Sequence, residues 1–167
     1  MTVGARHRVL AVWRVGGSEQ RDSGRMAELI SEDLIQDDIA RFSARYEVSG
    51  SDAFLAAEMD ALGSDYQANG YTTMAQAMAL GRVLDLEPGQ RLVDVGAGCG
   101  WPGLHLAKTF GCHVISVDVV DEGTAASRDR AIIDGIAGRS WSIQASATSL
   151  PLRPRSVDAV VHSDVMC

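Results

Sequence analysis

The chain has 167 residues, of which 46% are hydrophobic and 22% are charged. This composition is typical of a folded protein of one domain and excludes a disordered chain. The formal net charge is -7. Binding to a phosphate backbone requires clustered Lys and Arg, so we predict no nucleic-acid partner.

Three cysteines, Cys99, Cys112 and Cys167, form no Cys-x-x-Cys pair. The pattern indicates neither a disulfide framework nor a structural zinc site, so we predict reduced thiols, a cytoplasmic location and no metal. No run of residues approaches the roughly 18 consecutive apolar positions of a membrane span. We therefore predict no membrane partner.

The first 25 residues differ in composition from the rest of the chain. They contain five arginines against Glu19 and Asp22, and they include Gly16 and Gly17. This composition predicts a flexible basic leader over residues 1–25, with Met26 as a candidate natural start. A short strand over residues 8–14 is the competing interpretation.

The next segment has the periodicity of amphipathic helices. A first helix is predicted from residue 26 to 46 and a second over residues 52–62, closed by Gly63. A third begins after Thr73, where Gln76 completes a capping-box pattern, and runs to about Leu86. The apolar face of the first helix contains Met26, Leu29, Ile30, Leu34, Ile35, Ile39, Phe42 and Tyr46. We interpret residues 26–70 as a helical cap.

Strand and helix patterns alternate from Leu92 onwards, as they do in an α/β sheet with parallel strands. The helix predicted after the second strand would turn Ala125, Ala126, Ile132, Ile133 and Ile136 towards the sheet. The predicted strands cover residues 92–95, 112–117, 141–145 and 157–161, and the predicted helices cover residues 102–110 and 122–136.

A glycine-rich turn joins the first of these strands to its helix. Gly96, Gly98 and Gly100 allow the backbone to turn sharply and to approach a ligand. Pro102 suits a first helical position, and exposed amides at a helix start favour an anionic group. The turn therefore predicts a ligand with a negative charge.

The spacing of the glycines tests whether the ligand is a dinucleotide such as a nicotinamide cofactor. A dinucleotide fingerprint, G-x-G-x-x-G, fails from Gly96 because Trp101 takes its last position. Counted from Gly98 the fingerprint is satisfied, but Asp94 and Gly96 are then unexplained. A nicotinamide-dependent oxidoreductase is thus the weaker interpretation.

The D-x-G-x-G-x-G segment from Asp94 to Gly100 resembles the first motif of class I S-adenosylmethionine-dependent methyltransferases. The resemblance implies that Gly96, Ala97 and Gly98 wrap the methionine part of S-adenosyl-L-methionine. It also implies that Asp94 holds the loop and the cofactor's amino group.

Further positions extend this resemblance over about residues 70–167. Asp118 ends the next strand, where a carboxylate can accept hydrogen bonds from both ribose hydroxyls. Val119 would then pack beside the adenine. The segment over residues 145–152 is similar to the family's D-A-x-x-L-P-F stretch, with Ser146 in place of Asp. Ser146 and Ala147 are accordingly expected near the adenine.

Two more residues are expected to contact the cofactor by resemblance. Tyr71 follows Gly70 in a segment that resembles the approach to the domain in small-molecule methyltransferases, and His162 ends the fourth strand. His162 receives no catalytic role, because a histidine at this edge is as often a packing residue. The catalytic residues are unknown from sequence.

The resemblance implies a partial doubly wound Rossmann-like sheet in residues 71–167, with strand order 3-2-1-4, preceded by N-terminal helices and lacking the usual C-terminal strands. It implies methyl transfer from the sulfonium of the cofactor to a small-molecule acceptor. A truncated, non-catalytic or partner-dependent cofactor-binding fragment is the alternative. The fourth strand, over residues 157–161, is expected to have an exposed edge that self-associates or pairs with a second chain.

Overall fold

The computed structural model describes residues 11–14 and 32–165, without the side chains of residues 11–14, 32–35 and 38. The start of the first predicted helix at Met26, most of the basic leader and Cys167 lie outside the described residues. The helices are α1 Glu32–Ser49, α2 Asp52–Leu62, α3 Met74–Val83, α4 Gly103–Phe110 and α5 Asp121–Ile133, with a short 3-10 helix at Ala137–Arg139. The strands are β1 Ala11–Arg14, β2 Arg91–Val95, β3 His113–Asp118, β4 Ser140–Gln144 and β5 Ala159–His162.

The strands form one sheet in the order β1-β5-β2-β3-β4. The pairs β2–β3, β2–β5 and β3–β4 are parallel, which confirms the predicted order 3-2-1-4 for the strands that follow Leu92. Leu92, Val93, Val114 and Val161 are fully buried, as expected of parallel strands covered on both faces.

The outer edge of β5 is paired, and this corrects two predictions. Ala11–Arg14 runs antiparallel to Ala159–His162, so that edge is not exposed and residues 11–14 do not belong to a loose leader. The competing prediction of a strand within residues 8–14 is the one that the structure bears out. The physical reason is that an unpaired strand edge presents free N–H and C=O groups, which a short apolar segment of the same chain can satisfy.

This pairing leads to a first prediction. Deleting residues 1–14 should lower the midpoint of thermal unfolding by several degrees, because the β5 backbone would lose its partner on one side. Differential scanning calorimetry of the two chains, at matched concentration and pH, measures the difference. An unchanged midpoint would show that the β1–β5 pairing contributes nothing to stability.

The helix boundaries follow local signals. Thr73 and Gln76 form the predicted capping box at the start of α3, with the Gln76 amide donating to Thr73 Oγ1 at 3.3 Å. Gly63 ends α2 in the left-handed conformation. The third helix stops at Val83 rather than near Leu86, and Asp85 follows with a positive φ of 52°.

The face of α5 differs from the predicted one. Ile132 and Ile133 are 66% and 78% exposed, whereas Thr124, Ser127 and Ala131 are buried. Small side chains bring this helix close to the sheet, and the isoleucines then point away from it. Ile136 is buried as predicted, but it lies beyond the end of the helix.

The hydrophobic core is one buried cluster that includes Leu80, Leu84, Leu104 and Leu106 together with Leu92 and Val114 of the central strands. Helix α4 packs on β2 and β3, and α1 packs on α5. These contacts hold the start of α4 and one face of α1 at the carboxyl end of the parallel strands. Across the described residues, no helix combines the length and the apolar character that a membrane crossing requires.

Candidate functional site

A cleft of about 190 Å³ opens at the carboxyl ends of the parallel strands. Each strand contributes the residues that follow it, so the order of the strands sets the order of the walls. From one end to the other these are residues 163–165 after β5, 96–99 after β2, 118–120 after β3, and Ala145 and Ala147 after β4. The lining also includes Val95 and Val117 in the strands, together with Phe42, Tyr46, Trp101 and residues 68–70.

The glycine-rich turn adopts a backbone that requires glycine. Gly96, Gly98 and Gly100 have φ values of 70°, 50° and 103°, which L side chains rarely adopt. The turn also lies close to neighbouring side chains, since a Cβ at Gly96 would be 2.3 Å from Val165 Cγ2. The motif thus brings the backbone into the cleft wall, as predicted.

The amides of this turn are already engaged within the protein. Gly96 and Ala97 donate to the Val117 carbonyl at 2.7 and 3.1 Å, and Gly98 donates to Asp118 Oδ2 at 2.8 Å. Gly100 donates to the Ala97 carbonyl at 2.8 Å. The expectation that exposed amides of the turn bind an anion is therefore not supported for these four groups, because the turn hydrogen-bonds to β3 instead.

Asp118 connects the turn to the ribose side of the predicted site. Its carboxylate is 6% exposed and accepts hydrogen bonds from the Gly98 amide and, at 2.9 Å, from the Val120 amide. Burial raises the pKa of Asp118, against the lowering effect of the hydrogen bonds from Val120 and Gly98. Each carboxylate oxygen has capacity for a second donor, so the group can still accept from a ligand.

Asp94 is placed differently from its predicted role. It is fully buried, does not line the cleft, and accepts a hydrogen bond from the Gly103 amide at 2.8 Å. The structure thus brings it to the start of α4, where it holds the loop, and not to the cleft. Its Oδ1 has no hydrogen-bond partner within the part of the chain that is described.

The environment of Asp94 predicts a pH-dependent stability. Burial raises the pKa of this carboxyl well above its ordinary value, the hydrogen bond from Gly103 lowers it, and the charge of Asp118 raises it again. Because the folded-state pKa exceeds the unfolded value of about 3.9, the contribution of Asp94 to stability is complete below that pH. It is lost as the pH rises towards the folded-state pKa.

We therefore expect Asp94→Asn to flatten the fall in the free energy of unfolding between pH 4 and neutrality. A single proton-linked group contributes a slope of at most about 1.4 kcal/mol per pH unit, and the amide removes that group while keeping an acceptor for Gly103. Urea titrations at several pH values measure the slope. An identical or steeper slope in the variant would contradict the raised pKa of Asp94. The pH dependence of stability would then come from other groups, such as Asp118, whose pKa burial also raises.

Tyr46 and Phe42 are site residues that the sequence analysis missed. The Tyr46 ring occupies a notch between two glycines: a Cβ at Gly98 would lie 2.8 Å from Tyr46 Oη, and a Cβ at Gly123 would lie 3.0 Å from Tyr46 Cε2. Burial and then the charge of Asp118 raise the pKa of the Tyr46 phenol. The i, i+4 spacing placed both residues on one helix face, but did not indicate that this face covers a cleft.

The remaining predicted residues divide into two groups. Val119 and Ala147 line the cleft together with the glycine turn. Tyr71, Ser146 and His162 do not line it. The Tyr71 side chain is 60% exposed, the Ser146 hydroxyl pairs with Thr148 Oγ1 at 2.8 Å, and His162 lies within β5.

The segment around Tyr71 is held beside the cleft by hydrogen bonds to Asp164 and Trp101. Asp164 Oδ2 accepts hydrogen bonds from the Tyr71 amide at 2.8 Å, the Thr72 amide at 3.0 Å and Thr72 Oγ1 at 2.9 Å. Trp101 Nε1 donates to the Thr72 carbonyl at 2.9 Å. These contacts fix residues 70–72 at the β5 end of the cleft.

Comparison with known proteins agrees with this arrangement. The family described as a methyltransferase domain matches residues 93–167, which include the glycine turn and Asp118. This match agrees with the predicted resemblance to the class I S-adenosylmethionine-dependent methyltransferases. The cofactor of that family is S-adenosyl-L-methionine.

Two curated relatives match about half of this chain. Glycine/sarcosine/dimethylglycine N-methyltransferase of Actinopolyspora halophila is 32% identical over 81 residues, which are 48% of this chain and 14% of the relative. Phosphoethanolamine N-methyltransferase 1 of Triticum aestivum is 30% identical over 86 residues, which are 50% of this chain and 16% of the relative. The chain therefore spans less than a fifth of the length of either relative.

A solved structure shows the same local similarity. The S-adenosylmethionine-dependent methyltransferase of Geobacter sulfurreducens, in complex with S-adenosyl-L-homocysteine, is 33% identical to this chain over the matched part. The match covers 44% of this chain and 29% of that one, with a TM-score of 0.41.

Proposed function

We propose that this methyltransferase domain binds S-adenosyl-L-methionine in the cleft and transfers its methyl group to a small-molecule acceptor. The observation that carries the proposal is the position of Asp118 at the carboxyl end of β3, hydrogen-bonded to Gly98 of the glycine turn. Residues 71–167 form the cofactor-binding domain in this proposal, and residues 26–70 form a helical cap over it.

The walls of the cleft fit the nucleoside part of this cofactor. Asp118 retains acceptor capacity for the two ribose hydroxyls. Val119, Ala145 and Ala147 offer apolar surface beside it for a flat base. The Ser146 hydroxyl is engaged with Thr148, so in this proposal the adenine is held by packing and not by that hydroxyl.

The cofactor supplies an activated methyl group on a sulfonium, so the protein contributes chiefly by positioning. Holding an acceptor atom in line with the methyl can supply much of the acceleration without a dedicated base. Tyr46 and Phe42 cover the cleft from α1, where they would exclude water from the bound cofactor. No residue is assigned as a general base.

The class of acceptor is part of the proposal. Two relatives carry the names of enzymes that methylate sarcosine and phosphoethanolamine, which are small molecules. The net charge of -7 disfavours a nucleic-acid acceptor. We also propose a cytoplasmic location, since Cys99 and Cys112 are free and buried.

Isothermal titration with S-adenosyl-L-homocysteine and, separately, with NAD⁺ tests the cofactor. We expect binding of the former only. Methyl transfer from tritiated S-adenosyl-L-methionine to glycine, sarcosine or phosphoethanolamine then tests the reaction. Binding without turnover on any acceptor would favour the non-catalytic, partner-dependent alternative, and binding of NAD⁺ alone would contradict the proposal.

A further inference from the structure

The two edges of the sheet differ in how they are covered. Strand β1 pairs with the outer side of β5, whereas β4 ends the sheet on the other side. No strand within residues 11–14 and 32–165 pairs with the outer side of β4. An edge of this kind presents backbone donors and acceptors to a further strand, and folded proteins commonly protect it with charges, proline or a bulge.

Strand β4 has none of these protections. Its sequence, Ser-Trp-Ser-Ile-Gln, contains no charged residue and no proline. The run without charge extends from Ser140 to Leu152, although 22% of the whole chain is charged. Each residue of β4 lies opposite one residue of β3, so the strand contains no bulge. The edge is therefore open to pairing.

The backbone of β4 shows which groups are available at this edge. The amide of Ala145, which directly follows the strand, donates to the Asp118 carbonyl of β3 at 2.9 Å. Successive residues of a paired strand turn their amide and carbonyl groups alternately to the two sides. Trp141 and Ile143 thus face β3 with these groups, and the backbone groups of Ser140, Ser142 and Gln144 point outwards.

The side chains of β4 alternate with the same period. The Ser142 hydroxyl donates to Ser127 of α5 at 2.9 Å, so Trp141 and Ile143 lie on the opposite face of the sheet. The Trp141 ring is stacked on His113 with ring centroids 5.8 Å apart, yet the residue is 51% exposed. A large aromatic side chain is thereby held at the open edge.

These two alternations make the strand complementary to itself. If a second β4 runs antiparallel with its centre at Ser142, outward backbone groups meet outward groups, in the pairs Ser142–Ser142 and Ser140–Gln144. Trp141 then faces Ile143 of the second copy twice, in the pairs whose side chains approach most closely. Cross-strand pairs of an aromatic and a β-branched side chain stabilise a sheet.

We propose that β4 is a self-association edge, at which two copies of this chain join their sheets around a two-fold axis through Ser142. The inference concerns a surface outside the cleft and does not depend on the proposed function. Because β1 covers the other edge of the sheet, the pairing uses the same strand of each copy and closes at two chains.

Sedimentation equilibrium of the full chain tests the association. The mean mass should rise with protein concentration from 17.8 kDa towards twice that value and not beyond it. Trp141→Lys places a charge on the edge and removes the aromatic contact, so its dissociation constant for the dimer should rise by about tenfold or more. Circular dichroism checks that the variant is folded.

Val83→Lys is the matched control for this substitution. It also replaces an exposed apolar residue by lysine, but Val83 ends α3, is 75% exposed and does not belong to the sheet. Both variants reduce the net charge of -7 by the same amount, so a difference between them does not come from overall repulsion. We expect the control to associate at least as strongly as the unmodified chain.

Hydrogen exchange measured by NMR tests the backbone pairing directly. The amides of Ser142 and Gln144 should exchange more slowly at concentrations that favour the dimer, because pairing supplies their acceptors. The amides of Trp141 and Ile143 should be protected at every concentration, since they face β3. A side-by-side contact of the exposed tryptophans would not produce this alternation.

Three results would overturn the inference. One is a mean mass that stays at that of a single chain at all concentrations. Another is a dimer that Trp141→Lys leaves as tight as the control does, because the contact would then lie elsewhere. The third is a dimer in which the exchange of the Ser142 and Gln144 amides does not change with concentration.

Discussion

Replacing Asp118 by Ala is expected to weaken the binding of S-adenosyl-L-homocysteine by roughly 1.5–3 kcal/mol, the range for hydrogen bonds to a charged group. The substitution removes the only buried carboxylate that the structure describes in the lining of the cleft, apart from the partly buried Asp164. It also leaves the amides of Gly98 and Val120 without their acceptor. Isothermal titration calorimetry measures the change.

A matched control separates this effect from a general change of charge. Asp129→Ala removes an exposed carboxylate from α5, away from the cleft lining, and should leave the dissociation constant unchanged. Asp118→Asn keeps the shape and one acceptor, and should fall between the wild type and Asp118→Ala. Equal affinities for the wild type and Asp118→Ala, both folded by circular dichroism, would reject the ribose site.

Gly100→Ala is expected to lower the stability of the chain strongly. A Cβ at this position would lie 2.3 Å from Leu104 Cδ1 and 2.7 Å from Leu104 Cγ, and Leu104 is fully buried. Overpacking of this kind costs about 1–3 kcal/mol, and a strained backbone of positive φ costs about 1–3 kcal/mol more. We therefore expect the free energy of unfolding to fall by several kcal/mol.

Gly138→Ala serves as the control for this substitution. No atom lies within 4 Å of the position that its Cβ would take, and its φ is not in the left-handed region. The change should be within about 0.5 kcal/mol, as for most surface substitutions. Urea unfolding of both variants gives the comparison, and similar values for the two would show that the packing at Leu104 yields to the added methyl group.

Signals that lie close together in the sequence predicted local structure correctly. The capping box of Thr73 and Gln76 predicted the start of α3, and alternating strand and helix patterns predicted the parallel strands, whose order the family resemblance implied. The glycine turn and Asp118 were both predicted at the cofactor site, and the structure brings them into contact, with Gly98 donating to Asp118 at 2.8 Å. Each of these features depends on neighbouring residues or on a spacing that the fold itself imposes.

Other features depend on contacts between distant segments. Asp94 matches the family motif at a strand end, but its side chain turns to the Gly103 amide beneath the turn instead of into the cleft. Ile132 and Ile133 have helical spacing, yet packing of the small residues of α5 on the sheet leaves them exposed. A one-dimensional pattern does not specify the rotation of a helix about its axis.

The sequence by itself determined the α/β architecture, the glycine turn and the acid that follows β3, because strand, turn and helix signals are local and repeat with fixed periods. The tertiary structure alone decided that β1 covers the edge of β5 and that Tyr46 fills the notch between Gly98 and Gly123. These contacts join residues that are 52 to 151 positions apart in the sequence, from Tyr46–Gly98 to Ala11–His162, and no local signal encodes such proximity. Long-range packing selects them, since each one buries or pairs a group that its own segment leaves unsatisfied.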